Sequence, residues 1–250
     1  MERELISHLA HGDHPIAAPM SEANLDRLLT RAKLPPGARI LDLGCGEAAW
    51  LTRALTLHPD ATADGVDLSA SALAGAAQAA EGLGVSDRLR LHLMPAADFV
   101  PDSADGGAYD LVLSIGATHA YGGLAPTLRA VRDHLRPGAL ALVGEGFWEQ
   151  APTPDLLAAL GEEPDSYADL AGTVTRMESA GFATVYGHRS TLEEWDEYEW
   201  SWTGTLARWA LEHPGPDGEA ALAAAREHRD LWLTGYRGVL GFVTLLLRRT

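Results

Sequence analysis

The 250-residue chain is short of cysteine, of lysine and of long apolar runs. Cys45 stands alone and cannot close an internal disulfide, and no group of Cys and His has zinc spacing, although ten histidines are scattered along the sequence. A disulfide scaffold and a structural metal are therefore not expected. Positive charge is scarce too: 19 basic side chains face 35 acidic ones, a formal net charge of −16, and Lys33 is the only lysine. A field of that sign repels polyphosphate, so nucleic acid is not an expected partner. The longest apolar run, ending at Leu245-Leu246-Leu247, falls well short of the roughly 20 residues a membrane helix needs. The opening Met-Glu-Arg-Glu-Leu carries charge where a secretion signal would be apolar. A cytoplasmic protein without a membrane partner is the expectation. Internal repeats and low-complexity tracts are missing as well, and nothing in the sequence speaks to oligomeric state.

What is present is an ordinary globular composition, 46% hydrophobic and 22% charged, in a chain long enough for one large domain. Ser21 to Lys33 starts with a capping serine, repeats Leu25, Leu28 and Leu29 at helical spacing, and stops at Pro35-Pro36-Gly37. Ala38 to Leu43 is a strand-like run that ends in Gly44-Cys45-Gly46, and Ala49 to Leu57 resumes a helical period. The alternation continues through strand 62–67, helix 69–81, strands 88–93 and 109–114, helix 124–135 and strand 139–144. Such alternation predicts a parallel sheet with right-handed crossovers. A Pro-rich stretch from Glu149 reads as loop, followed by a helix near 167–180 that Gly181 caps and a strand from Phe182 to Gly187. Val239 to Leu247 reads as the last strand.

The stretch between those last two strands is too long for a connection and must form structure of its own. Trp195, Tyr198, Trp202, Leu206 and Trp209 recur at steps of three or four and share one helical face, and a second helix follows from Glu219 to Trp232. The expected division is a core of 1–190 with 237–250, and a helical insertion at 191–236.

Strand one delivers Asp42-Leu43-Gly44-Cys45-Gly46 to the start of a helix, where glycine lets a ligand approach the backbone and amide N–H groups point outward. Strand two ends at Val66-Asp67, an acid about twenty residues on, placed to accept both hydroxyls of a ribose. With Tyr109-Asp110 opening strand four and Pro137-Gly138 before strand five, the pattern resembles the class I S-adenosylmethionine-dependent methyltransferases. The resemblance covers roughly residues 22 to 148. It implies a Rossmann-like α/β fold with a seven-stranded, mostly parallel sheet of order 3-2-1-4-5-7-6 and S-adenosylmethionine as cofactor. It also implies cofactor contacts from Asp42, Gly44, Cys45, Gly46, Asp67, Leu68, Ala96, Ala97, Ser114 and Ile115. Two positions depart from the family pattern: Ala48 replaces the third glycine, and Pro95 stands where many members place an adenine-reading Asp.

Methyl transfer from a sulfonium needs an acceptor held in line and, for a hydroxyl, a group to take its proton. In open α/β sheets such groups sit beyond the carboxyl ends of strands. His119 and Tyr121, in the glycine-flanked loop after strand four, and Glu145, after strand five, are the candidates: His119 as base, Glu145 as its partner, a substrate ligand or a loop anchor. Tyr121, Trp148, Trp195, Tyr198 and Trp202 are the candidate substrate contacts. The segment 193–202, dense in carboxylates and aromatic rings, reads either as an amphipathic helix with an aromatic core face or as a substrate lid that attracts cations. His11 to Pro15 reads as a loop, with a covering role over the cofactor as the second reading. The expected activity is methylation of a small molecule at oxygen or nitrogen. The alternatives are a non-catalytic S-adenosylmethionine-binding protein and a dehydrogenase using NAD.

Overall fold

The computed structural model describes residues 3–101 and 108–250. The strands are β1 (Arg39–Leu43), β2 (Thr62–Asp67), β3 (Leu89–Leu93), β4 (Tyr109–Ile115), β5 (Leu135–Trp148), β6 (Phe182–Arg189) and β7 (Leu240–Arg249). They form a single sheet of order β3-β2-β1-β4-β5-β7-β6. β1 to β5 pair in parallel, and β7 runs antiparallel to both β5 and β6. This is the order the family resemblance implies. The direction of the connections reverses on either side of β1, which opens a crevice at the carboxyl ends of β1 and β4.

The helices are α1 (Arg3–Ala10), α2 (Glu22–Arg31), α3 (Ala49–Leu57), α4 (Ala70–Gly82), α5 (Leu124–His134), α6 (Pro154–Leu160), α7 (Leu170–Ser179), α8 (Leu192–Glu212) and α9 (Pro216–Leu231). Strand alternation sends Ile40, Leu111, Leu113 and Leu142 to one face, where they meet Leu28 and Leu29 of α2, Leu51 and Leu55 of α3 and Ala76 of α4. Leu41, Leu43, Val112 and Val143 take the other face and pack on Leu128 and Val131 of α5 and Met177 of α7. A separate apolar cluster joins Ala10 of α1 to Leu206 and Ala210 of α8 and Ala221 and Ala225 of α9. The α8–α9 hairpin closes tightly: a Cβ on Gly218 would lie 2.0 Å from the His213 carbonyl oxygen.

Three elements differ from the sequence expectation. α6 replaces part of the expected loop because Pro154 sits in the first helical turn, where its missing N–H is no loss, and Thr153 caps the helix. β5 begins before Pro137-Gly138 instead of after it, since a register shift between Tyr109 and Leu111 of its neighbour absorbs the turn residues inside the strand. α1 was not foreseen; Ile6 and Leu9 pack it against the α8–α9 cluster. Among the described residues no helix is long and apolar enough to cross a membrane.

Candidate active site

The turn after β1 is built on left-handed backbone. Gly44 has φ +89°, and a Cβ there would meet the Ala117 Cβ at 2.6 Å, so the position admits only glycine. The N–H groups of Gly44 and Cys45 both donate to the Val66 carbonyl at 2.9 and 3.0 Å, which ties the turn to the end of β2. Ala48 is also left-handed, φ +56°, a conformation that costs a residue with a Cβ about 1 kcal/mol and that starts α3 at the next residue. Asp67 closes β2 with both carboxylate oxygens aligned by backbone: Oδ2 accepts from Gly46 N–H at 2.8 Å and Oδ1 from Ser69 N–H at 2.9 Å. Each oxygen keeps a second lone pair for a ligand hydroxyl.

A cavity of about 430 Å³ opens over this turn. Its floor is Gly44, Gly46 and Glu47, and one wall is Asp67, Leu68, Ser69 and Ala72. Ala96 joins that wall, while Ile115, Gly116, Ala117, His119 and Ala120 form the wall opposite. The roof is His11, Pro15 and Ala17 from the segment before α2, with Tyr198 of α8. Leu68 is 62% exposed, an apolar surface beside the ribose-type acid.

Of the expected cofactor contacts, Gly44, Gly46, Asp67, Leu68, Ala96 and Ile115 line this cavity, and Asp42, Cys45, Ala97 and Ser114 do not. Asp42 lies beneath the turn; burial pushes its carboxyl up to about 7, the charge of Asp67 adding to the effect, and its Oδ1 has no partner. The Cys45 thiol packs over Gly65 on the α3 side, and burial raises its pKa, so it is an inert apolar group. Ser114 is fully buried because its parity is opposite to that of Ile115. Ala97 follows Ala96 in a short 3-10 turn and faces outward. Pro95 opens that turn, and the Ala96 carbonyl already accepts from the Tyr121 hydroxyl at 2.8 Å.

Of the expected chemistry and substrate residues, His119 and Tyr198 reach the cavity. Glu145 does not. It shares the β5 face of Val143 and Phe147, which α5 and α7 cover, and its carboxyl receives the Thr118 hydroxyl and, at 2.9 Å, the Gly146 N–H. It thereby anchors the turn that carries His119, and burial pushes its pKa up to about 7. Tyr121 is drawn off to Ala96 by the hydrogen bond given above. Trp148 turns to a different hollow, with Glu149, Pro152 and Pro154, and stacks edge-on against Tyr167 at 5.3 Å. Trp202 lies flat on His228 with ring centres 3.9 Å apart, inside the helical cluster. Trp195 is wedged between the sheet core and Tyr236. Trp195, Tyr198 and Trp202 follow one another at about one turn of α8 each, yet of the three only Tyr198 lines the cavity. Sequence reasoning missed Glu47, Ala17 and Ala72, which carry no motif.

Several observations fit a bound nucleoside. The backbone floor at Gly44 excludes any side chain, Asp67 presents pre-aligned oxygens beside an exposed leucine, and the unpartnered Asp42 Oδ1 lies just below. Among the described residues no three His, Cys, Asp or Glu side chains come together as a metal would require.

A Rossmann-like sheet of this order with such a site defines a nucleoside-cofactor methyltransferase. The family model of a methyltransferase domain matches residues 41–141. The Escherichia coli protein YjhP, which is uncharacterised, is 31% identical over 226 residues, 90% of this chain and 89% of that protein. A methyltransferase from Geobacter sulfurreducens, solved with S-adenosyl-L-homocysteine, superposes with a TM-score of 0.90 at 26% identity and covers 100% of this chain and 99% of its own. One from Thiobacillus denitrificans, with the same ligand, gives 0.89 at 26% identity, again over 100% and 99%. The chain belongs to the class I S-adenosylmethionine-dependent methyltransferases, and S-adenosylmethionine is its cofactor. The dehydrogenase and non-catalytic alternatives are set aside.

Proposed function

We propose that the enzyme methylates a small molecule at oxygen or nitrogen. The observation that carries this reading is the roof: the segment around His11 to Ala17 and Tyr198 of α8 cover the cavity, leaving a space suited to a compact acceptor and not to a duplex or a folded protein. In this reading 191–236 is a substrate lid on the core. Bound S-adenosylmethionine supplies an electrophilic methyl group. Gly44, Gly46, Asp67 and Leu68 hold it, His119 takes the acceptor's proton, and Glu145 positions the His119 turn through Thr118. The test is to follow S-adenosylhomocysteine formation over time with fractionated small metabolites, peptides and RNA offered in parallel. Time-dependent product with the metabolite fraction supports the reading; turnover with peptide or RNA alone removes it.

A further inference from the structure

The Tyr121 hydroxyl donates to the Ala96 carbonyl, 25 positions earlier in the chain, at 2.8 Å. The direction of this bond is fixed: burial pushes the phenol up to about 12, so it keeps its proton, and a carbonyl oxygen can only accept. The Phe99 N–H reaches the same oxygen at 3.4 Å, a long contact, so the phenol is the firmer tie. It joins the chain after β3 to the chain after β4. These two segments supply facing walls of the cavity, Ala96 beside Leu68 on one side and His119 with Ala120 on the other.

Tyr121 ends the 3-10 turn Thr118–Tyr121, and in such a turn residues three apart eclipse one another. Thr118 and Tyr121 therefore share one side of it, and both are anchored. The Thr118 hydroxyl is held by the Glu145 carboxyl, and the Tyr121 ring packs in the apolar cluster that contains Ala96, Phe99 and Leu128. His119, a third of a turn round, lines the cavity. Gly116 before the turn and Gly122 after it are left-handed, φ +65° and +78°, so the turn continues neither β4 nor α5 and takes its setting from its two anchors. The Glu145 anchor belongs to the sheet. The Ala96 anchor belongs to a cavity wall.

We propose that Tyr121 is a positioning residue that couples nucleoside binding to the placement of His119. A nucleoside whose ribose is held by Asp67 lays its base against Leu68 and Ala96; that wall settles on the base, and the phenol carries the setting across to the turn that bears His119. The imidazole is then in place for the acceptor once the cofactor is bound. This rests on the reading of His119 as the group that takes the acceptor's proton. Because such coupling is reciprocal, freeing the turn from Ala96 weakens nucleoside binding in turn.

The experiment follows the His119 ring signal by NMR in histidine-labelled protein, the signal being assigned by its loss in His119→Gln, while adenosine is added to saturation. Adenosine reaches the ribose and base end and carries no methionine. In the wild type the His119 signal is expected to move; in Tyr121→Phe, which keeps the packed ring and removes only the hydroxyl, the movement should fall to less than half. Calorimetry should show S-adenosylhomocysteine affinity about fivefold weaker in Tyr121→Phe, the effect of losing one hydrogen bond. A phenol that merely packs would leave the His119 response intact. Equal movement in the two proteins at saturation overturns the proposal, and so does unchanged affinity. A wild-type signal that adenosine leaves in place overturns it without recourse to the variant, as does adenosine that fails to bind. The proton-taking role of His119 is read separately, by turnover of His119→Ala, so its failure is distinct from a failure of the coupling.

Discussion

Ser21 and Glu194, 173 positions apart, are joined through one carboxylate oxygen: Glu194 Oε1 accepts the Ser21 N–H at 3.0 Å and its hydroxyl at 2.9 Å. Ser21 occupies the N-cap position of α2, yet its side chain caps nothing there, because the charged acceptor on α8 takes the hydroxyl. The other oxygen of Glu194 accepts from Thr191 N–H at 2.9 Å and lies 2.8 Å from His188 Nε2. One side chain thus clamps the start of α2, the end of β6 and the start of α8, where the roof of the cavity is hung.

Glu194→Ala should lower the melting temperature and loosen the roof. Burial alone would raise the carboxyl's pKa, but the bonds from Thr191, Ser21, Asn24 and His188 outweigh it and hold the group at about 2. A depressed folded pKa contributes stability that is present above the unfolded value and lost as pH falls through the folded one. The variant should therefore show a shallower loss of stability between about pH 4.5 and 2 in acid titrations followed by circular dichroism. An acid limb identical to wild type would show that the clamp is energetically silent.

Glu145 gives the opposite slope. Burial raises its folded pKa to about 7 against the bonds from Thr118 and Gly146, so the folded state holds a proton that the unfolded state releases. Stability attributable to this group should fall as pH rises from about 4.5 to 7 and level off above. Glu145→Gln removes that fall and should be worth about 1 to 3 kcal/mol relative to wild type at pH 8. Urea midpoints at pH 5 and pH 8 read the difference, and equal pH slopes in the two proteins would contradict it.

Asp67→Ala should weaken S-adenosylhomocysteine binding by about 1.5 to 3 kcal/mol, the loss of charge-assisted hydrogen bonds, with an added effect from the freed Gly46 N–H. Calorimetry giving wild-type affinity would remove Asp67 from the ribose role.

Gly44→Ala should abolish cofactor binding and cost about 1 to 3 kcal/mol of stability, since φ +89° strains any side chain and the new Cβ would collide with Ala117 on the cavity wall. A variant that binds with unchanged affinity would mean the turn relaxes without disturbing the site.

His119→Ala should lower kcat by roughly 10² to 10⁴ with cofactor affinity intact, as removal of a general base does. Turnover at the wild-type rate would remove His119 from the proton-accepting role.

Apolar runs and helical spacing carried the strands and helices, because local periodicity and turn chemistry act over a few residues and survive any packing, while the strand order followed from the family resemblance borne by Asp42 to Gly46, Val66-Asp67, Tyr109-Asp110 and Pro137-Gly138. The same locality explains what the sequence left open. Strand parity says that Glu145 and Ser114 point away from their neighbours, but not which face α5 and α7 will cover. Helical spacing puts Trp195, Tyr198 and Trp202 on one side of α8, but only the packing of α8 against the N-terminal segment and α9 brings Tyr198 to the cavity beside His11 and leaves Trp202 stacked on His228. The pairs His11–Tyr198 and Ser21–Glu194 have no local signature at all. They exist because the chain returns after β6 to lay α8 across its own N-terminal segment, and a contact between residues so distant in sequence is decided by the packed fold alone.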